Sequence, residues 1–379
     1  EAGEPETWGA KRRNVIVDIR PENDKAADMA DKVNRIALDH WRSMAEGTWV
    51  ESYAREHGLD ASKVAWAPAF EPASEALLSL ARRNDVPSFQ LRRAGLVDMD
   101  RHGRFVDRFR DRMMLPIQDG RGRIIAFTGL RGPGSEDGMS PEWLTTPSTD
   151  AFSESRALYG DGKESRMRLR GTARSAWCGD PLDVEAVARA GMLLDPDGGL
   201  GDAIVPLAPC GAGPSMQQFE MVRREQGGKL ARPIFCFDAD ERGRSMTAAA
   251  WGMLQPGERM TACGLILPDG VGSPGEMAGQ GRFEELAECL RTPRPLHECL
   301  TDSLADGADF STKDGQAAFL RQAGRDVVGL LPDGMKERAA LYVDDTLERK
   351  ADEIGVEDRL HVALPEMGVE ASTAGPGLG

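Results

Sequence analysis

Between Ser175 and Leu290 the sequence alternates short apolar runs with stretches at helical spacing, and this alternation constrains the fold more than any other feature. Strands are expected at residues 176–178, 203–207, 233–237 and 262–267. Helices are expected at 182–190, 215–224, 244–254 and 283–290. Each connection is long enough for a crossover helix, so the strands pair in parallel, with helices covering both faces of the sheet.

The flanks read differently. Residues 1–23 lack periodicity and read as a tail or linker. Met29, Val33, Ile36, Ala37 and Trp41 then recur at helical spacing over 24–44. Thr48 caps the next helix, which Gly58 closes, and Pro72 and Pro87 start two more, so the first quarter reads as helical. Apolar runs at 112–117 and 123–128 flank Asp119-Gly120-Arg121-Gly122, a strong hairpin signal. Residues 131–141 form a Gly- and Pro-rich loop. After Pro295 the pattern is helical again, in pieces bounded by Gly315, Pro332 and Gly355. The resulting division is a tail over 1–23, a helix-and-hairpin subdomain over 24–171, a parallel-sheet domain over 172–293, a helical subdomain over 294–366 and a tail over 367–379. The fold class is α/β.

At 379 residues the chain is too long for one ordinary core. A formal net charge of −15 argues against wholesale coating by nucleic acid but leaves room for a local basic groove. Nine arginines fall between Arg92 and Arg123, and Arg108, Arg112, Arg121 and Arg123 are the candidates for such a groove. Their alternative role is pairing with Asp107, Asp111 and Asp119 on a solvated face. The six cysteines show no CxxC or CxxH spacing, so no structural zinc is expected, and a reducing cytoplasm fits them. No apolar run approaches the ~20 residues that span a bilayer, so no membrane partner is expected. The first residue is not Met, and a processed or internal portion is the expectation.

The sharpest local feature is Ile234-Phe235-Cys236-Phe237-Asp238-Ala239-Asp240, followed by Arg242-Gly243-Arg244. Strand alternation aims Asp238 and Asp240 the same way, at the carboxyl end of a parallel strand, where open α/β sheets bind ligands. Two carboxylates there suit Mg²⁺, a hard cation that prefers oxygen. An isolated DxD is more often a turn or a helix cap, so its setting decides.

That setting resembles the TOPRIM domain. Pro181-Leu182-Asp183 fits the aspartate end of its first motif, Val205-Pro206-Leu207 with Gly211 fits the second strand and its turn, and Asp238 and Asp240 supply the DxD. The flanks are similar to the catalytic core of DnaG-type DNA primases from bacteria, phages and plasmids: Tyr53-Ala54-Arg55-Glu56-His57-Gly58-Leu59, Ala94-Gly95-Leu96, the 107–117 and 122–127 segments, Trp143-Leu144-Thr145-Thr146-Pro147 and Leu158-Tyr159-Gly160. The matching segments occur in order across roughly residues 30–355. The resemblance implies RNA primer synthesis on a single-stranded DNA template from ribonucleoside triphosphates, in the cytoplasm, alongside replication or mobile-element proteins. It implies Mg²⁺ or Mn²⁺ on Asp238, Asp240 and Asp183, with those three as catalytic carboxylates and Asp180 as a substitute acid, and a template channel in the N-terminal subdomain.

The departures fall in catalytic places. Gly179 stands where the family has its glutamate, Glu142 and Glu154 where it has lysines, Leu130 where it has an arginine, and Ser273 where it has the aspartate of a D-P pair. Carboxylates that face phosphates repel them, so the expectation is reduced or absent primase activity. Two alternatives stay open: an inactive primase-like binding or assembly subunit, and a TOPRIM nuclease.

Overall fold

The computed structural model describes residues 20–60, 62–68, 76–133, 140–194 and 203–360. The start of the helix expected from Pro72, the middle of the 131–141 loop and the tail over 367–379 lie outside them.

The N-terminal part comprises α1 (Arg20–Ser43), α2 (Trp49–Glu56), β1 (Ala65–Ala67), α3 (Ala76–Arg83), α4 (Ser88–Arg93), β2 (Val97–Met99), β3 (Phe105–Asp107), β4 (Arg112–Gln118), β5 (Ile124–Arg131) and β6 (Trp143–Thr145). Helix α1 begins at Arg20, inside the segment expected to be a tail. The expected hairpin is β4–β5, from Arg112 opposite Arg131 to Gln118 opposite Ile124. Its turn takes the left-handed conformation at Gly122, with φ +82°, rather than at Gly120. Strands β1 and β6 extend the hairpin into an antiparallel sheet ordered β1-β4-β5-β6. Periodicity missed β1, because three residues carry too little pattern.

The second part comprises β7 (Leu158–Tyr159), α5 (Lys163–Arg170), β8 (Arg174–Cys178), α6 (Pro181–Leu194), β9 (Ile204–Pro209), α7 (Met216–Glu225), β10 (Ile234–Cys236), α8 (Glu241–Met253), α9 (Pro256–Arg259), β11 (Cys263–Gly264), α10 (Pro274–Gly279), α11 (Phe283–Arg291), β12 (Arg294–Pro295), α12 (Leu296–Asp306), α13 (Lys313–Asp326) and α14 (Asp333–Glu353). The sheet order is β12-β11-β10-β8-β9-β7. Its four central strands are parallel, as expected. The two edge strands, β7 and β12, run antiparallel.

Both faces of this sheet are covered, and strand alternation sorts the side chains. Trp177, Val205, Leu207, Phe235 and Phe237 enter one core with residues of α7, α8, α12, α13 and α14. Trp177 stacks on Phe219 there, with ring centroids 4.3 Å apart. Ala176, Cys178, Ile204, Ala208, Ile234 and Cys236 enter the other core with α6, α10, α11 and one face of the β4–β5 hairpin. The opposite hairpin face, through Met114, Ile124 and Phe127, packs with α1, α3 and α4 in a third core. The C-terminal helices therefore share a core with the sheet, and the hairpin bridges the N-terminal core to it.

One core-edge residue carries a pH signature. Asp107 is 6% exposed, accepts a 3.4 Å bond from the Leu77 N–H, and leaves Oδ1 without a donor. Burial pushes its carboxyl up from 3.8 to about 6. A raised carboxyl costs nothing below the unfolded value; the cost grows as pH rises from near 4 to near 6 and is constant above. Two pH units correspond to about 3 kcal/mol. Asp107→Asn is therefore expected to stabilise the fold by up to roughly that amount at pH 7.5 and by little at pH 4, read by urea denaturation at both pH values.

Candidate carboxylate site at the sheet edge

The loops after β8 and β10, neighbours in the parallel sheet, bring three carboxylates together. Asp180 follows β8 and caps α6: its Oδ1 accepts from the N–H groups of Leu182 (2.7 Å) and Asp183 (3.0 Å). Asp183, in the first turn of α6, is 0% exposed. Its Oδ1 accepts from the Gly275 N–H at 2.8 Å and its Oδ2 from the Gly179 N–H at 3.2 Å. Asp238, two residues past β10, is half-buried, and its Oδ1 has no hydrogen-bond partner.

Gly179 sits against two of them. A Cβ there would lie 3.0 Å from Asp238 Oδ1 and 3.1 Å from Asp183 Oδ2, so a side chain at this position requires its neighbours to give by a few tenths of an ångström. Burial, then the charges of Asp180 and Asp238, push Asp183 well above the usual carboxylate range. Asp238 is itself raised, by burial first, against the pull of Asp183's hydrogen bond and of Arg242. Asp180 is pushed up to about 6 by burial, opposed by its bond from the Asp183 N–H and reinforced by Asp238.

Asp240 departs from the expected geometry. The strand ends at Cys236, so alternation does not reach residue 240. Asp240 is exposed, and its Oδ1 caps α8 by accepting from the Gly243 N–H at 2.7 Å. Gly243 is required there, because a Cβ would fall 1.9 Å from the Asp238 carbonyl oxygen.

A divalent cation needs carboxylate oxygens free of other donors. Asp238 Oδ1 is one, and Asp240 keeps its second oxygen clear of bonds among the described residues. Asp183 is fully buried, and each of its oxygens already accepts a backbone N–H. Among the described residues no three His, Cys, Asp or Glu side chains converge as a metal cage. The donor set fits a hydrated Mg²⁺ held by one or two carboxylates, which is how that ion commonly binds.

The substituted positions take other tasks. Glu142 is exposed, and its charge raises both Asp238 and Tyr53. Tyr53 is pushed up to about 12, by burial first and then by Asp180 and Glu142. Glu154 lies against Gly211. Leu130 is buried in the sheet core, and Ser273 caps α10 by accepting from the Glu276 N–H at 3.1 Å. Arg242 acts on both Asp180 and Asp238, a role the sequence hid because helix side-chain direction decides it.

The four arginines are engaged by neighbours within the fold. Arg112 is 2% exposed and donates to the carbonyls of Gly129, Pro141 and Glu142, tying β4 to the 140–142 segment. Arg123 pairs with Asp119, Asp28 and Asp24, and Arg121 with Asp24. Arg108 pairs with Asp98 and donates to the Thr145 carbonyl. The pairing with Asp119 was legible from the sequence; the acids of α1 were not.

Residues 42–164 match a family model described as the DNA primase catalytic core, N-terminal domain. A DNA primase of Neisseria meningitidis is 27% identical over 282 residues, covering 72% of this chain and 43% of that protein. The RNA polymerase domain of Mycobacterium tuberculosis primase DnaG has a similar fold, with TM-score 0.67, 22% identity, and coverage of 83% of this chain and 97% of that one. A DnaG primase catalytic domain bound to ssDNA gives TM-score 0.61 at 22% identity, covering 86% and 98%. The chain spans about a third to a half of the length of the curated relatives it matches. Its sequence is related to the DNA primases, and its fold is that of the DnaG catalytic core.

The geometry separates the aspartates by stability. Asp183→Ala leaves two buried N–H groups without acceptors and is expected to cost about 2–5 kcal/mol. Asp240→Ala loses only a cap, about 1 kcal/mol, and Asp240→Asn, which keeps it, costs little. Urea denaturation of the three variants checks the order.

Proposed function

We propose, with the DnaG catalytic-core fold as premise, that this chain takes part in template-directed RNA primer synthesis on single-stranded DNA, through a TOPRIM-type acidic site that runs with reduced activity. The observation that carries this reading is Asp238: a carboxylate at the carboxyl end of a central parallel strand, with one buried oxygen that has no donor and with Asp240 two residues away. The ssDNA named with the solved DnaG catalytic domain supports a template of that kind. A bacterial, phage or plasmid origin and a cytoplasmic setting among replication proteins accord with it. No helix among the described residues is long and apolar enough to cross a membrane.

Asp238 and Asp240 would hold Mg²⁺ or Mn²⁺, which when bound neutralises charge on the triphosphate being attacked. Arg242 offsets the negative charge of the cluster and is placed to meet a phosphate. Asp183 positions rather than reacts: it holds the loop after β8 against α10 and supports Asp238. Glu142 works against the site, since its charge bears on Asp238 where a nucleotide's phosphates would approach. The second reading, a primase-like binding or assembly subunit without catalysis, is favoured by the full burial of Asp183, whose oxygens are taken up by the Gly179 and Gly275 N–H groups.

Primer synthesis on single-stranded DNA, with labelled ribonucleotides and Mg²⁺ or Mn²⁺, decides between them. The expected result is weak, metal-dependent product that disappears in Asp238→Asn/Asp240→Asn. Glu142→Lys is expected to raise product about two- to fivefold, the size of an exposed charge interaction of about 0.5–1 kcal/mol. Absence of product from folded wild type and from Glu142→Lys alike would establish the second reading.

A further inference from the structure

A groove runs along the first turns of α1. It is a cavity of about 600 Å³ between α1, α4 and the loop after β6, with Met29, Ala30, Phe89 and Ala94 in its walls. Phe89 is 53% exposed and Met29 40%, so two large apolar side chains of one cavity stand in water among the described residues. A second cavity, about 140 Å³, adjoins it along the same loop and shares Asp150 and Ala151 with it.

The charges of the two cavities come close to cancelling: Lys25, Arg93, Arg156 and Arg166 stand against Asp119, Asp150 and Asp161. Asp119 is held by Arg123, and Asp161 by Arg166. Asp150 remains the accessible acid. Its side chain is 64% exposed, and its 2.7 Å pair with an equally exposed Arg93 is weak, so it can take a further cation. An apolar floor with balanced charge suits neither a polyanion nor a polycation. It suits a short segment that carries an apolar run beside a few cations.

The chain supplies such a segment next to the groove. Lys11-Arg12-Arg13-Asn14-Val15-Ile16-Val17-Asp18-Ile19 lies outside the described residues and leads directly into α1 at Arg20. Met29 is nine residues along α1 from Arg20, about 13.5 Å of helix. Four extended residues cover about 13–14 Å. A chain reversal just before α1 therefore brings Val15 level with Met29, and Lys11 to Arg13 about 7–14 Å further on. A tether this short holds the segment at an effective concentration on the order of millimolar, so modest apolar contact is enough to seat it.

We infer that Val15-Ile16-Val17 folds back along α1 as a strap over Met29 and Phe89, with the Lys11-Arg12-Arg13 run meeting Asp150. The groove is then a docking site for the chain's own upstream segment, and the inference does not depend on primer synthesis.

Trace trypsin reads the contact in the full chain, because Lys11, Arg12 and Arg13 are its cleavage sites. Initial cleavage there, followed by mass spectrometry, is compared with that of a synthetic peptide of residues 8–22, which carries the same substitutions as each variant. The wild-type chain is expected to be cut at least about tenfold more slowly than its peptide. Phe89→Gln and Val15→Gln/Val17→Gln each remove most of that protection, and combining them removes no more. Asp150→Asn lowers it by about two- to fivefold at low salt. Met260→Gln, at an equally exposed methionine after α9, leaves it unchanged. Cleavage of the wild type at the peptide's rate overturns the strap. So does protection that survives Phe89→Gln within twofold, or that Phe89→Gln abolishes while Val15→Gln/Val17→Gln leaves it intact.

Discussion

The acidic site depends on the environment of one buried carboxyl group. Asp183 sits in the first turn of α6, out of water, and ties the loop after β8 to α10 by accepting from Gly179 and Gly275. An ionised carboxylate in that position is costly, and burial, with the charges of Asp180 and Asp238, pushes its carboxyl well above the usual range. One group therefore fixes three segments.

Charge is distributed against the expected chemistry. The cluster of Asp180, Asp183, Asp238 and Asp240 has Arg242 as its near cation, while Glu142 adds to its negative field. The arginines of the hairpin are spent on structure: Arg123 ties the β4–β5 turn to α1, and Arg112 holds the 140–142 segment against β4. The N-terminal part also carries an open groove between α1 and α4, where Phe89 remains exposed.

Much of the fold was legible because it rests on periodic patterns. Alternation at Ala176, Trp177 and Cys178, and again at Ile234, Phe235 and Cys236, announces strands buried on both faces. Ser215 three residues before Gln218 announces the start of α7, and the capping box is present. Elements of two or three residues, such as β1, β7 and β12, were not legible, because so short a segment is held by its neighbours rather than by its own pattern.

Residue types and their spacing along the chain sufficed for the α/β class, the alternation of the central strands with their helices and the relation to a primase core. None of these needs knowledge of what meets across space. The folded arrangement was required to establish that Asp240 caps α8, that Asp183 is closed off under Gly179, that Arg112 is buried and Arg123 bound to α1, and that Phe89 stays in solvent. Each of those depends on burial and on partners some 20 to 100 residues away or more, or on where a strand stops, and a buried charge takes its role from its surroundings rather than from its position in sequence.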